Sequence, residues 1–250
     1  MTQTHNTIWR WLILLGVACL PARAQESQFI PEFDAHLNLN QSFRAYVEAK
    51  EDRDGGDPTQ FSVGPSIQFY LKRLVKLRDS TVFDLDDSKS RLFVLEAGYR
   101  TITAPNAPLE NRVLISATSN FPLKAGLLLL DRNRADLDWK GGEFAWRYRN
   151  RLTLERTFRL RSRHHIPYVA VEPFYVSQYH KWSTTSLYAG SLFPLGKYVQ
   201  LNAYYEHDNN TGKRPNHQVN SVGLALNLYF SMKSHHSSPS PQPSQRPDAK

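Results

Sequence analysis

The chain has 250 residues, with 31 Lys and Arg against 23 Asp and Glu for a formal net charge of +8, and a single cysteine. The basic excess is spread along the chain rather than clustered, which argues against a nucleic-acid partner, and one cysteine cannot close an internal disulfide. Mean hydropathy is negative although aromatics make up 12% of the residues, as expected when strands carry polar side chains to one face and apolar ones to the other.

The first element is a targeting segment. Arg10 precedes the apolar run from Trp11 to Leu20, and Ala22-Arg23-Ala24 forms a small-residue cleavage site, so residues 1–24 read as a signal peptide. Its loss removes Arg10 and Arg23 and no acid, taking +8 to +6. It also removes Cys19, so no thiolate nucleophile or thiolate metal site is expected. Attachment of lipid through Cys19 is the weaker reading, because Gly16 sits where a bulky aliphatic is required. Beyond residue 24 the longest aliphatic run is Leu127 to Leu130, far short of the roughly 20 residues of a spanning helix.

Strands follow in order. Residues 33–49 place Phe33, Ala35, Leu37, Leu39, Phe43, Ala45, Val47 and Ala49 on one face, and read as one strand, longer than the usual 5 to 6 residues. EDRDGGDP then reads as a charged loop. Residues 61–71, 93–99 and 113–121 alternate likewise, while residues 72–90 show no period and read as a long connection or an extra strand pair. Residues 127–139 and 144–158 form a hairpin across Lys140-Gly141-Gly142. Its second arm, EFAWRYRNRLTLER, sets Phe144, Trp146, Tyr148, Leu152 and Leu154 against Arg147, Arg149 and Arg151, with Asn150 the one mismatch. Residues 168–177, 185–193, 199–205 and 219–230 complete ten strands, or twelve with the extra pair. Residues 231–250, rich in Ser and Pro, read as a disordered tail. An even count puts both chain ends at one rim, with FPLKAG and FPLGK as short periplasmic turns and HDNNTGKRPN among the longer outer loops.

These features predict an all-β chain, a transmembrane antiparallel β-barrel of outer-membrane type over residues 25–230. A soluble sandwich or periplasmic binding barrel explains the alternation too. The size of the apolar face favours lipid, with Trp139, Trp146, Tyr148, Tyr175 and Tyr205 as interface belts. Arginine at the bilayer midplane costs about 2 to 4 kcal/mol, so the arginines face the lumen. The expected location is the bacterial outer membrane, with lipid and the barrel-assembly machinery as partners, the latter through the closing strand that ends at Phe230.

The runs DRNRADLDW, FAWRYRNRLTLER, PYVAVEPFYVSQYHKW and VGLALNLYF, spread over residues 29–230, resemble the bacterial outer-membrane β-barrel family known as domain of unknown function (DUF) twenty-four-ninety. The resemblance implies the fold and the outer membrane, and no activity.

Candidate residues for binding or passing a small anion through the lumen are Arg132, Arg134, Arg147, Arg149, Arg151, Glu155 and Glu172, because a guanidinium fork matches phosphate and carboxylate. A filled lumen held by ion pairs is the competing reading, with Asp136 and Asp138 as structural partners of the arginines. The expected hairpin register sets Leu137 against Tyr148, Asp138 against Arg147 and Asp136 against Arg149. A slip by two residues, with Asp136 facing Arg147, keeps the same faces. No catalytic residues, metal ligands or cofactor are expected: His36, His164, His165, His180, His207 and His217 lie in no GxSxG or HExxH spacing. His164 and His165 read as turn residues, and His207 and His217 as loop residues. A lipid-modifying enzyme or protease and a structural or adhesive surface protein are the alternatives.

Overall fold

The computed structural model describes residues 26–73, 84–160, 163–212 and 216–232. The expected signal peptide and nearly all of the expected tail lie outside the described residues. Eleven strands close into a barrel: β1 (Glu26–Asn38), β2 (Phe43–Asp54), β3 (Asp57–Arg73), β4 (Arg91–Thr103), β5 (Glu110–Pro122), β6 (Leu127–Lys140), β7 (Glu143–Arg156), β8 (Arg163–Val176), β9 (Lys181–Pro194), β10 (Val199–Asn210) and β11 (His217–Ser231). A short piece, Phe158–Leu160, continues β7 past Thr157 and pairs with β8 in the same register. Successive strands are antiparallel, but β11 closes on β1 in parallel, from Glu26 opposite Val219 to Asn38 opposite Ser231. An odd count requires this, because an up-and-down ring of eleven brings two strands of the same direction together.

The even count expected from the sequence is thus corrected, and the reason is local. The single strand read over residues 33–49 is two strands, with Leu37 opposite Ala45. Asn40 makes the turn: its Oδ1 accepts from the amides of Ser42 and Phe43 at 2.8 and 2.9 Å, an Asx turn that replaces the lost ladder bonds. Leu37 and Phe43 both keep odd numbers on the outer face, so the alternation runs through the turn unbroken.

The rim where β1 begins is called upper here and the rim where β11 ends lower. Upper connections include Gly55-Gly56 and Gly141-Gly142, all four at positive φ, as two-residue hairpin turns require. The charged segments expected as long loops are mostly strand: β2 runs to Asp54 and β10 to Asn210. The Gly141-Gly142 turn also sets the β6–β7 register, placing Lys140 opposite Glu143 and Asp136 opposite Arg147. The register with Leu137 against Tyr148 is therefore corrected to the two-residue slip, with Leu137 against Trp146.

Outside, the barrel is apolar. Val47, Ile67, Leu95, Ile115, Leu152, Val169, Leu187, Val222 and Leu224 are exposed along its middle. Exposed Tyr99, Trp139, Phe144, Trp146, Trp182 and Tyr205 gather toward the upper rim, and Phe43, Phe121, Phe158, Phe193, Tyr198 and Phe230 toward the lower. A polar cluster interrupts this face at mid-height. Asn150 donates to Asp131 Oδ1 at 2.6 Å and Asn133 Oδ1 at 3.0 Å, and the Tyr148 hydroxyl donates to Asn133 Oδ1 at 2.5 Å. These groups satisfy one another, which explains how the Asn150 mismatch is tolerated on an apolar face.

Candidate functional site: a charge-divided cup inside the barrel

Residues 84–90, which carry a short 3₁₀ turn at Asp87–Ser90, lie across the lower end of the lumen. Their partners come from five strands around the ring. Arg44 of β2 reaches Asp86 Oδ1 at 2.5 Å, Asn38 of β1 donates to Asp87, and Asn120 of β5 donates to the Ser88 carbonyl. Gln200 of β10 donates to Asp84 at 2.8 Å, and Lys89 lies 2.7 Å from Glu155 of β7 and 2.6 Å from Asp84. Only a segment folded into the barrel can touch β1, β2, β5, β7 and β10 together. Residues 84–90 of the long, aperiodic connection are therefore a plug, and no extra strand pair forms among its described residues.

The plug's charges hold it in place. Burial alone would depress the Lys89 ammonium, but the carboxylates of Asp84 and Glu155 outweigh it and hold the pKa above the ordinary lysine value. Burial alone would raise Asp86; the Arg44 guanidinium, aided by His36 and Lys89, outweighs it and holds that carboxyl below the usual range. Around the plug the lower lumen is packed with Tyr70, Leu128, Ile166, Leu192 and Tyr229. His36 belongs to this filling, stacked on Tyr229 with centroids 4.7 Å apart.

Above the plug lies a cavity of about 930 Å³ whose lining reaches the upper rim at Lys140, Gly141, Glu143 and Asn210. One wall is basic. From β5, β6 and β7 it presents Arg112, Arg132, Arg134, Arg147, Arg149 and Arg151, with Lys140 at the rim. Their carboxylates are few and shared. Glu172 of β8, fully buried, meets Arg151 at 2.7 Å, Arg132 at 3.0 Å and Arg149 at 3.8 Å. Asp136, also fully buried, meets Arg134 at 2.6 Å, Arg149 at 3.3 Å and Arg147 at 3.7 Å. Asp138 meets Arg112 at 2.5 Å and Arg147 at 3.3 Å. Arg134 lies opposite Arg149 and Arg132 opposite Arg151 in the ladder. Like charges directly opposite are unfavourable, and the two buried acids offset them.

The other wall is acidic. Glu32, Glu48, Glu206 and Asp208 line it from β1, β2 and β10, with Asp34 buried beside Glu32 and Glu48. Arg100 takes Glu48 at 3.0 Å and Lys50 takes Asp52 at 3.5 Å. Tyr168, Tyr188 and Tyr204 complete the lining. Tyr204 lies against Gly223 and Tyr168 against Gly190, where a Cβ would fall 2.0 Å and 2.8 Å from the rings. Those two glycines let the tyrosines lie along the wall instead of across the cup. Arg151 sits over the Tyr188 ring, 3.9 Å from its centroid.

The structure thus brings Arg132, Arg134, Arg147, Arg149 and Arg151 together around Asp136, Asp138 and Glu172. Glu155 is the exception. It serves the plug through Lys89 and does not line the cup. Sequence reasoning missed the acidic wall, the tyrosines and Lys89. Glu48, Glu206 and Asp34 were legible as inward residues, but nothing in the pattern says that they share one side. The histidines read as turn and loop residues are strand residues: His164 and His165 lie in β8, His207 in β10 and His217 in β11. His207 bonds Asn220 at 2.7 Å and His217 meets Glu26 at 3.1 Å. Glu32, Asp34 and Glu48 bring one carboxylate oxygen each within 4.8 Å of one another.

No protein-family model matches the chain, and a comparison with curated proteins finds no relative.

Proposed function

We propose that this chain is a bacterial outer-membrane barrel whose lumen is a one-ended cup for small anions. Membership of the DUF twenty-four-ninety barrel family is part of the same reading, carried by the strand sequences quoted above. The observation that carries the function is the cavity of about 930 Å³ with an arginine wall on one side and a plugged lower end. A guanidinium cluster short of carboxylates presents forked donors to phosphate or carboxylate in a confined space. A plugged end makes binding the better reading than passage. The apolar outer face, bounded by two aromatic zones, supports lipid as the outer solvent. With Phe230 at the periplasmic rim, where the assembly machinery reads it, the cup opens to the exterior.

The test is calorimetry of inorganic phosphate against detergent-solubilised protein, with conductance in planar bilayers beside it. Phosphate binds, no sustained current flows, and Arg132→Ala with Arg134→Ala and Arg151→Ala abolishes the binding while heat-dependent gel mobility shows a folded barrel. Unchanged phosphate affinity in that variant removes the anion site. A product monodisperse without detergent replaces the membrane barrel by a soluble one.

A further inference from the structure

The two walls of the cup carry opposite surpluses of ionisable groups, basic on one side and acidic on the other. On the basic wall seven cations share Glu110, Asp136, Asp138 and Glu172. The buried Nε of Arg132 has no hydrogen-bond partner, and those of Arg147 and Arg149 reach Asp138 and Asp136 only at 3.3 Å, without hydrogen-bond geometry. On the other wall, Glu32, Asp34, Glu206 and Asp208 have no Lys or Arg within ion-pair distance among the described residues, and a buried oxygen of Asp34 has no hydrogen-bond partner. Both polarities are therefore left wanting, and they face each other. In a ring of eleven, β5, β6 and β7 together stand across from β10, β11, β1 and β2. Strand spacing and tilt give such a ring a backbone diameter of about 20 Å, leaving a gap on the order of 10 Å once side chains reach in from both sides.

A simple anion satisfies one wall and leaves the other unanswered. A ligand with an anionic group and an ammonium a few ångströms apart answers both. Its phosphate or carboxylate takes donors of the arginines that share Asp136, Asp138 and Glu172, and its ammonium takes Glu206 and Asp208, whose neighbours are the hydroxyls of Tyr188 and Ser186. The field between walls of opposite sign also orients such a dipole, because a narrow low-dielectric cavity screens it poorly. We propose that the ligand of the cup is a small zwitterion, a phosphate or carboxylate that carries an ammonium group. This rests on the anion-cup reading and adds the second, cationic half of the site.

The experiment titrates the folded protein in detergent with phosphoethanolamine, inorganic phosphate and ethanolamine. Phosphoethanolamine binds at least about tenfold more tightly than phosphate, and ethanolamine alone binds weakly. Glu206→Gln with Asp208→Asn removes that advantage and leaves phosphate affinity within about twofold; Glu32→Gln is the second variant should the first fail to assemble. Equal affinity for phosphoethanolamine and phosphate overturns the zwitterion and leaves the anion cup standing. An advantage that survives both acidic-wall variants overturns it too. Binding of none of the three overturns both readings. Competition by lysophosphatidylethanolamine in the micelle supports the site with a lipid headgroup as its source, and competition by the soluble compound alone supports a free solute.

Discussion

Lys89→Met removes the one cation that two plug-side carboxylates share while keeping the bulk of the side chain. Lys89 is buried, and its partners Asp84 and Glu155 have side chains only 2% and 4% exposed. Taking one partner from a buried ion pair costs about 3 to 5 kcal/mol, because a desolvated charge is left behind. Here two are left, and only Asp84 keeps another donor, Gln200. The expected cost is thus about 3 to 5 kcal/mol, and it falls on the docking of residues 84–90, since the strand ladders do not involve Lys89. Undocking opens the lower end. Planar-bilayer recordings of Lys89→Met should show sustained conductance that the parent protein lacks, with the barrel still heat-modifiable on gels. Adding Asp84→Asn and Glu155→Gln removes the stranded charges and should close the current again. The reasoning is refuted if Lys89→Met neither conducts nor shifts thermal stability by more than about 0.5 kcal/mol, the usual size of a surface substitution.

The same plug predicts a pH window. Asp86 is held below its ordinary value, so its contribution is full above about pH 3.9 and is lost as pH falls through the depressed value. Lys89 is held above its ordinary value, so its contribution is full below about pH 10.4 and is lost as pH rises through the raised value. Conductance should stay absent between about pH 4 and 10 and appear outside that range; opening near pH 6 contradicts it. In Gly64→Ala the new Cβ falls 2.0 Å from the Tyr99 backbone oxygen, so β3 and β4 must part, at about 1 to 3 kcal/mol, read as a lower temperature of heat-modified mobility. On the membrane-barrel proposal, a tag ahead of Glu26 and a tag after Ser231 are reached by protease from opposite faces of the bilayer, because β1 starts at one rim and β11 ends at the other. Deleting residues 233–250 should leave assembly intact, whereas Phe230→Ala, which loses the stack on Tyr198, should slow it.

The barrel was legible because a strand with lipid or core on one side and water on the other writes its face parity into alternate residues. Arg147, Arg149 and Arg151 could point only one way, and they do. What parity does not carry is where a strand bends back while keeping phase, which is why the Asn40 turn was invisible between Leu37 and Phe43. Nor does it carry register, which the positive φ of Gly141 and Gly142 decides. Residues 84–90 have no period because their partners lie on five different strands, each met by a single side chain. The division of charge across the cup belongs to ring geometry: Glu206 and Glu48 are far apart in the chain, and only closure sets them on one wall.

Eleven strands also shape how the ring can be made. Ten of its eleven seams join neighbours in the chain, so each can zip as a local hairpin as soon as both arms exist. The remaining seam, between β1 and β11, joins the two ends of the sequence and has no turn to guide it. It is also the one parallel ladder, slightly less stable per residue than an antiparallel one. Loop closure over so long a stretch has to precede any gain from that pairing, so the seam forms last and parts first. Amide exchange should therefore run fastest along β1 and β11 at mid-height, making this line the wall's natural lateral slit.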